Sequence, residues 1–308
     1  STQWAAAVEQ ARKVPDRPHA LSRALSGHAN ALIHGGWVEE AVALTDEALR
    51  LDRTLYGDRS VEYVGTLSNL AKGVLQAGSH DRAEILAREA YELATATLGD
   101  SHPCMPSVLE TLGCIYLGAG RAAQAEPLLR RVVGLRRSAG AGTSNLLANS
   151  TLHLARALRK LDRASEAREL LEEALGGLTA SPQDRLAAAG LFRHLSSLLD
   201  AEGDRPGAVG QLRNALDALT EGGGESHPYR LDVAEHLATA LISDGNAEEA
   251  ERVLAAALDS CGDAAPATDR MKALSTLGEL DMGRMDEPRA LRTLQQASEL
   301  ALATSGEP

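Results

Sequence analysis

The sequence predicts an all-α chain, a solenoid of about seven stacked helical hairpins, and four columns of residues predict it. Ala41, Ala83, Ala125, Ala167, Ala208, Ala250 and Ala290 recur at steps of 42, 42, 42, 41, 42 and 40 residues. Thirteen residues before them stand His28, Leu70, Leu112, Leu154, Leu195, Leu237 and Leu277. Each of those is followed at once by a small residue: Ala29, Ala71, Gly113, Ala155, Ser196, Ala238 and Gly278. Seven after the anchors come Ala48, Ala90, Val132, Ala174, Ala215, Ala257 and Ala297. A fixed period of this size means one helical unit copied and stacked. Alanine is common in this chain, so it is the agreement of several columns in one register that carries the reading.

Taken in chain order, residues 1–18 hold an amphipathic stretch with no first helix before it, either a capping helix or the remnant of a truncated repeat; residues 19–308 form the array. The repeat at 61–102 shows the design. Val64, Leu67, Leu70, Ala71, Val74 and Leu75 recur at helical spacing, so Val61 to Gly78 reads as a first helix. Gly78 ends it where the chain must turn left-handed. Ser79 and Asp81 suit the cap of a second helix whose inner face is Ala83, Leu86, Ala87 and Ala90. Pro103 then opens the next first helix, where a missing N–H costs little. Gly36, Gly120, Gly203 and Gly245 occupy the turn of Gly78, while Asp162 and Met285 replace the glycine in two repeats. Pro206 and Pro288 fall in first turns, where proline is tolerated. The junctions at 140–144 and near 264–267 are expected to be the least regular, and residues 305–308 to fray.

Composition narrows the function. The formal net charge of −12 argues against general nucleic-acid affinity, which needs a basic face. Arginine far outnumbers lysine, pointing to a GC-rich bacterial genome. Cys104, Cys114 and Cys261 form no metal-ligand spacing, and an odd number of sparse thiols suits a reducing cytoplasm. No apolar run approaches a membrane span and no signal-peptide pattern is present. The chain opens on Ser1, which reads as a piece excised from a longer protein. No phosphate-binding glycine loop, HExxH, GxSxG or supported Cys/His arrangement is found, so no catalytic residue, metal ligand or cofactor is assigned.

The columns resemble the tetratricopeptide repeat, and the 42-residue period resembles its kinesin light chain type. Leu98-Gly99-Asp100-Ser101-His102-Pro103 is similar to that family's LG-x-DHP junction, and Gly224-Glu225-Ser226-His227-Pro228 repeats it. Thr66 to Ala71 resembles TLNNLA, with Ser68 in place of the first Asn, and Ala125-Glu126-Pro127-Leu128 matches AEPL. The resemblance covers about residues 20–304. It implies a right-handed α-α superhelix whose first helices line a concave groove, and a groove that holds short peptides, acidic ones carrying tryptophan among them. In bacteria similar arrays accompany kinases, signalling ATPases or peptidases on one chain.

By that resemblance the groove column is Gly27, Asn69, Thr111, His153, His194, His236 and Thr276. The family's Asn at this place hydrogen-bonds a ligand backbone; the histidines could do the same and add charge near pH 6. Arg156, Arg159 and Lys160 lie at helical spacing on one first helix. Arg193 occupies a groove position in the next, and Lys72 shares the column of Arg156. A basic centre in an acidic protein attracts a carboxylate-rich segment. The competing readings are a solvated polar column and an exposed face paired with nearby acids. Candidate peptide-binding residues are therefore Asn69, Lys72, His153, Arg156, Arg159, Lys160, Arg193, His194 and His236.

The expected function is a non-catalytic, cytoplasmic protein–protein interaction module for a peptide or protein segment, an acidic one fitting best. The alternatives are a regulatory or recruitment arm of a larger bacterial signalling protein, or a self-assembling scaffold with Trp4 and Trp37 as contacts. No nucleic acid or membrane partner is expected, and the chain is a monomer or weak homodimer.

Overall fold

A computed structural model describes residues 2–14, 18–34, 37–140, 144–285 and 287–305. Every regular element among them is helical. The helices are α1 (Thr2–Arg12), α2 (Pro18–His34), α3 (Val38–Tyr56), α4 (Val61–Gln76), α5 (His80–Thr97), α6 (Met105–Gly118) and α7 (Ala122–Ser138). They continue as α8 (Ser144–Lys160), α9 (Ala164–Gly176), α10 (Pro182–Ala201), α11 (Arg205–Gly223), α12 (Tyr229–Ser243), α13 (Ala247–Cys261), α14 (Ala267–Gly283) and α15 (Glu287–Ser305). The chain divides into two compact units: residues 1–143 with 153–163, and residues 144–152 with 164–308. In the first, α2–α3, α4–α5 and α6–α7 are hairpins, and α1 packs on α2. In the second, α10–α11, α12–α13 and α14–α15 are hairpins, and α9 packs on α10.

The columns form the core. All seven anchor alanines are essentially inaccessible, as are Leu70, Leu112, Leu154, Leu195 and Leu237. Each such leucine contributes roughly 1.5–3 kcal/mol on burial. The small column has a steric cause. A Cβ on Gly113 would lie 2.8 Å from the Leu129 side chain, and one on Gly278 would lie 2.6 Å from that of Leu294. Two helices can approach this closely only when one offers no side chain. Gly27 is constrained in the same way, with the Trp4 ring 2.4 Å from where its Cβ would stand.

The turns inside the hairpins are left-handed, as their residues require. Gly78, Gly120, Gly203 and Gly245 have φ of 81°, 76°, 86° and 78°. Asp162 and Met285 adopt φ of 58° and 60° at the same place, a conformation that L side chains enter at a cost. The fifth predicted member, Gly36, lies outside the described residues. So do 141–143 and 306–308, the greater part of the expected irregular junction and of the expected fraying end. At the other expected irregularity, a 3₁₀ turn at Gly262–Ala264 leads through extended Ala265 into α14.

Two local expectations need correction. Pro103 does not open a first helix: the backbone turns through residues 99–104, with His102 N–H donating to Gly99 and Met105 N–H to His102, and α6 begins at Met105. It is Pro106 that sits in the first turn. Ser79 stands at the start of α5 but its side chain accepts no capping hydrogen bond. The hydroxyls that do cap are Ser60, accepting from Tyr63 N–H at 3.1 Å, and Ser181, accepting from Asp184 N–H at 3.2 Å.

Ion pairs add a second tie between neighbouring hairpins. Glu84, one residue after an anchor, is gripped by Arg121 of the next hairpin, and that guanidinium holds its carboxyl below the usual range. Glu126 lies 3.5 Å from Arg163. Glu251 is held by Arg284 and, at 2.6 Å, by Arg289. The glutamates are largely covered while their arginines stay partly exposed, so water and salt screen each pair.

Candidate functional site

Side chains from four helices meet at a recess in the first unit. Its volume is about 460 Å³, and its polar lining comes from α2 (Asn30), α4 (Asn69, Lys72, Gln76), α6 (Glu110, Thr111, Cys114) and α8 (His153). Six of these positions form two columns of the register, three residues apart on the helix. Asn69, Thr111 and His153 belong to one; Asn30, Lys72 and Cys114 belong to the other. A three-residue step returns to the same helix face, so stacking the hairpins brings the columns together.

The polar groups of the recess differ in what they already hold. Glu110 accepts two hydrogen bonds from Arg136, at 2.7 and 2.9 Å, and both side chains are largely buried. Thr111 donates to the Ser107 carbonyl at 2.9 Å and accepts from Ser68 at 3.2 Å. Asn69 and Lys72 make no side-chain hydrogen bond or ion pair among the described residues. His153 Nδ1 is buried and has no hydrogen-bond partner. Burial holds this imidazole below its ordinary value, against the opposing pull of Glu110, so it is neutral near pH 7. Burial also pushes the Cys114 thiol up to about 12, with Glu110 adding to the shift; it is a neutral thiol, not a nucleophile.

The field in the recess is positive. Arg136 balances Glu110, which leaves the Lys72 ammonium and the Arg156 guanidinium. Arg156 acts on both His153 and Cys114 through space. Arg159 and Lys160 lie further along α8 and are exposed. The arrangement offers donors (an ammonium, an amide, a guanidinium) and a neutral imidazole, a set suited to a carboxylate or a peptide backbone.

In the second unit the same columns are differently occupied. Arg193 on α10 donates to the Tyr229 hydroxyl, lies 3.5 Å from the Asp232 carboxylate and stacks 5.7 Å from the Tyr229 ring centre. His194 is half-buried, with Nε2 3.5 Å from the Arg193 guanidinium. His236 is exposed and its Nδ1 lies 2.7 Å from the Asp232 carbonyl, one turn back. The sequence-predicted set is therefore divided: Asn69, Lys72 and His153 share a recess with Arg156 close by, whereas Arg193 and His236 are engaged locally.

Glu110, Arg136, Cys114, Tyr229 and Asp232 were not among the predicted residues. Cys114 was findable, since it stands in the column that contains Lys72 and Arg156. Arg136 was not, because it lies on a second helix and reaches the recess only through the length of its side chain.

Among the described residues, no group of three His, Cys, Asp or Glu side chains is placed to hold a metal ion. No described helix is long and apolar enough to cross a membrane.

Comparison with known proteins places this geometry. Residues 64–138 and 105–180 match the model of the tetratricopeptide repeat. No curated protein sequence matches. A structure from Podosopora anserina described as a putative kinesin light chain with nearly identical TPR-like repeats aligns at 21% identity and TM-score 0.55, over 67% of this chain and 97% of that one. BtubC from P. vanneervenii aligns at 18% and 0.59, over 75% and 91%. A signal transduction ATPase with a tetratricopeptide repeat sensor, from Pyrococcus horikoshii, aligns at 16% and 0.65, over 94% of this chain but 43% of that one. At such identities the likeness is one of fold. Residues 64–180 thus match tetratricopeptide repeats, and the chain as a whole shares the fold of such arrays, kinesin light chain-like ones among them.

Proposed function

We propose that this tetratricopeptide array is a non-catalytic interaction module that holds a carboxylate-bearing segment of a partner protein in the recess of its first unit. Tetratricopeptide repeats typically mediate protein–protein interaction. The observation that carries the finer reading is the buried, unpartnered Nδ1 of His153 beside the uncommitted Asn69 and Lys72. A buried polar atom without a partner costs about 1–3 kcal/mol, and a ligand that satisfies it recovers that cost. Lys72 and Arg156 set the sign of the ligand charge, Asn69 supplies a backbone hydrogen bond, and Arg159 and Lys160 extend the positive face along α8. Arg193, His194 and His236 would serve a different stretch of partner, or none.

The test is binding of a fluorescent, glutamate-rich peptide carrying one tryptophan, compared with its glutamine counterpart. The reading expects the glutamate peptide to bind more tightly, and Lys72→Ala with Arg156→Ala to erase the preference. Equal affinity for both peptides in the wild type would overturn the carboxylate assignment.

The ATPase with a tetratricopeptide repeat sensor favours a second reading, in which such a recess belongs to the sensing arm of a larger signalling protein. Its match extends over nearly all of this chain. The two readings share the recess and differ in what lies beyond the array.

A further inference from the structure

Asp52 on α3 is a buried carboxylate with no countercharge among the described residues. Those residues include three buried aspartates. Asp281 lies 3.5 Å from the Arg289 guanidinium, and Asp184 accepts from both the backbone N–H and the hydroxyl of Thr179. Asp52 is only 2% exposed, and what it holds is neutral. Each of its oxygens takes one hydroxyl: Ser22 of α2 donates to Oδ1, and Thr66 of α4 donates to Oδ2 at 2.6 Å. Three helices of the first unit thus converge on one negative charge. A buried charge is costly unless it is paired, and two hydroxyls do not neutralise it.

Asp52, Ser22 and Thr66 line an open pocket of about 250 Å³. Ser22 and Thr66 spend their hydrogens on Asp52, so their oxygens can only accept further hydrogen bonds. This part of the pocket therefore offers acceptors with a negative charge behind them. Tyr56 and Glu62 add an aromatic ring and a second carboxylate; both are exposed and have no hydrogen-bond or ion-pair partner among the described residues. Acceptors, carboxylates and a ring face suit a cation. Arg23 and His19 also line the pocket, but both are exposed and neither pairs with Asp52. A planar guanidinium grips a carboxylate along two oxygens, and here each oxygen is already engaged by a hydroxyl. A compact ammonium with three rotatable donors fits the acceptors that remain. The volume far exceeds one bare ion, and among the described residues no group of His, Cys, Asp or Glu stands ready for a metal.

We propose that this pocket is the subsite for a lysine ammonium, carried by the same partner segment whose carboxylate enters the recess. Asn69 lines both the pocket and the recess, so one segment can cross from one to the other. The path of the segment rests on the recess reading, whereas the ammonium site rests on Asp52. The partner is thereby specified further: an acidic segment with a lysine at a fixed offset from its carboxylate.

Fluorescence anisotropy with N-terminally acetylated, glutamate-rich peptides tests it, one lysine being moved position by position away from the glutamates on either side. At one offset the lysine peptide should bind roughly tenfold more tightly than its acetyl-lysine counterpart, which lacks the charge. Asp52→Asn should bring that ratio to unity. Arg23→Ala removes a competing cation and should raise it. Equal affinities at every offset would overturn the proposal, as would a ratio that survives Asp52→Asn or falls in Arg23→Ala. Should Asp52→Asn unfold, the Arg23→Ala ratio decides, since that side chain is exposed. The glutamate-against-glutamine comparison reads the recess separately. If that comparison fails, a capped tripeptide of lysine between two glycines, followed by amide chemical shifts, still decides. Ser22, Asp52 and Thr66 should respond while Lys72 and His153 do not, and silence at the first three would sink the subsite.

Discussion

The recess of the first unit and the Arg193 cluster of the second are built from the same columns and end in opposite conditions. In the first, Asn69 and Lys72 have no partner among the described residues and His153 keeps a buried nitrogen unsatisfied. In the second, Arg193 is held by Tyr229 and Asp232, and the Nδ1 of His236 faces a carbonyl of its own helix. The second unit also keeps buried atoms without a hydrogen-bond partner, Asp232 Oδ2 and Arg230 Nε, so the contrast lies in the cations: Lys72 is uncommitted, whereas Arg193 is engaged. The difference lies in what the next hairpin offers: Tyr229 and Asp232 face Arg193, whereas among the described residues no comparable acceptor reaches Lys72, and Glu110 is already held by Arg136.

The largest test of this contrast removes that holding. Arg136→Met strands the largely buried Glu110 carboxylate and should cost about 3–5 kcal/mol in urea denaturation. Glu110→Gln in the same chain should recover a good part of it, and recovery of none would mean that Arg136 acts by packing alone. Next, Lys72→Glu should weaken the glutamate-rich peptide by about 2 kcal/mol, a loss of roughly thirtyfold. Arg193→Ala should leave that affinity unchanged while lowering stability by about 1–2 kcal/mol, through the unpaired groups left on Tyr229 and Asp232. If Arg193→Ala weakens the peptide as much as Lys72→Glu does, the two clusters are one functional surface and the contrast fails.

Acidification should separate the units more gently. Burial lowers the folded-state pKa of His153 from the ordinary 6.5. Below that value the unfolded chain takes up a proton that the folded recess resists, so stability falls as pH drops through 6.5 and is fully present above it. A bound carboxylate favours the imidazolium, so peptide affinity should rise over the same range. His153→Gln should flatten the affinity profile, and calorimetry in buffers of different ionisation enthalpy should then show no proton uptake. A profile unchanged by the substitution would place the titrating group elsewhere. The smallest effect is local: Met285→Gly relieves a left-handed turn and should stabilise the protein by about 1 kcal/mol, while Gly78→Ala at the equivalent turn should destabilise it by a similar amount.

Much of the fold was legible because each repeat restates it. The anchors, the leucine column and the left-handed turns are set within one hairpin by helical period, side-chain size and the sterics of φ. They can be read without knowing how hairpins pack. Even the replacement of glycine by Asp162 and Met285 was visible from position alone. What failed was capping at Ser79 and the start of α6, where a junction similar to a familiar motif suggested a helix two residues before the backbone forms one.

The site was legible only in part. The columns named Asn69, Lys72, His153 and Arg156 as neighbours, since residues at one register position on stacked helices must face the same way. The sequence could not say that Arg193 would meet Tyr229, or that Arg136 would reach Glu110 from another helix. Those meetings join residues 36 and 26 positions apart, at distances fixed by how far one hairpin rotates on the next and how far a guanidinium extends. The sequence by itself determined a tetratricopeptide-like array and the face its polar columns share. The tertiary structure alone decided which of those polar groups are satisfied internally, because hydrogen-bond partnership depends on the last few ångströms of packing, and periodicity carries no record of them.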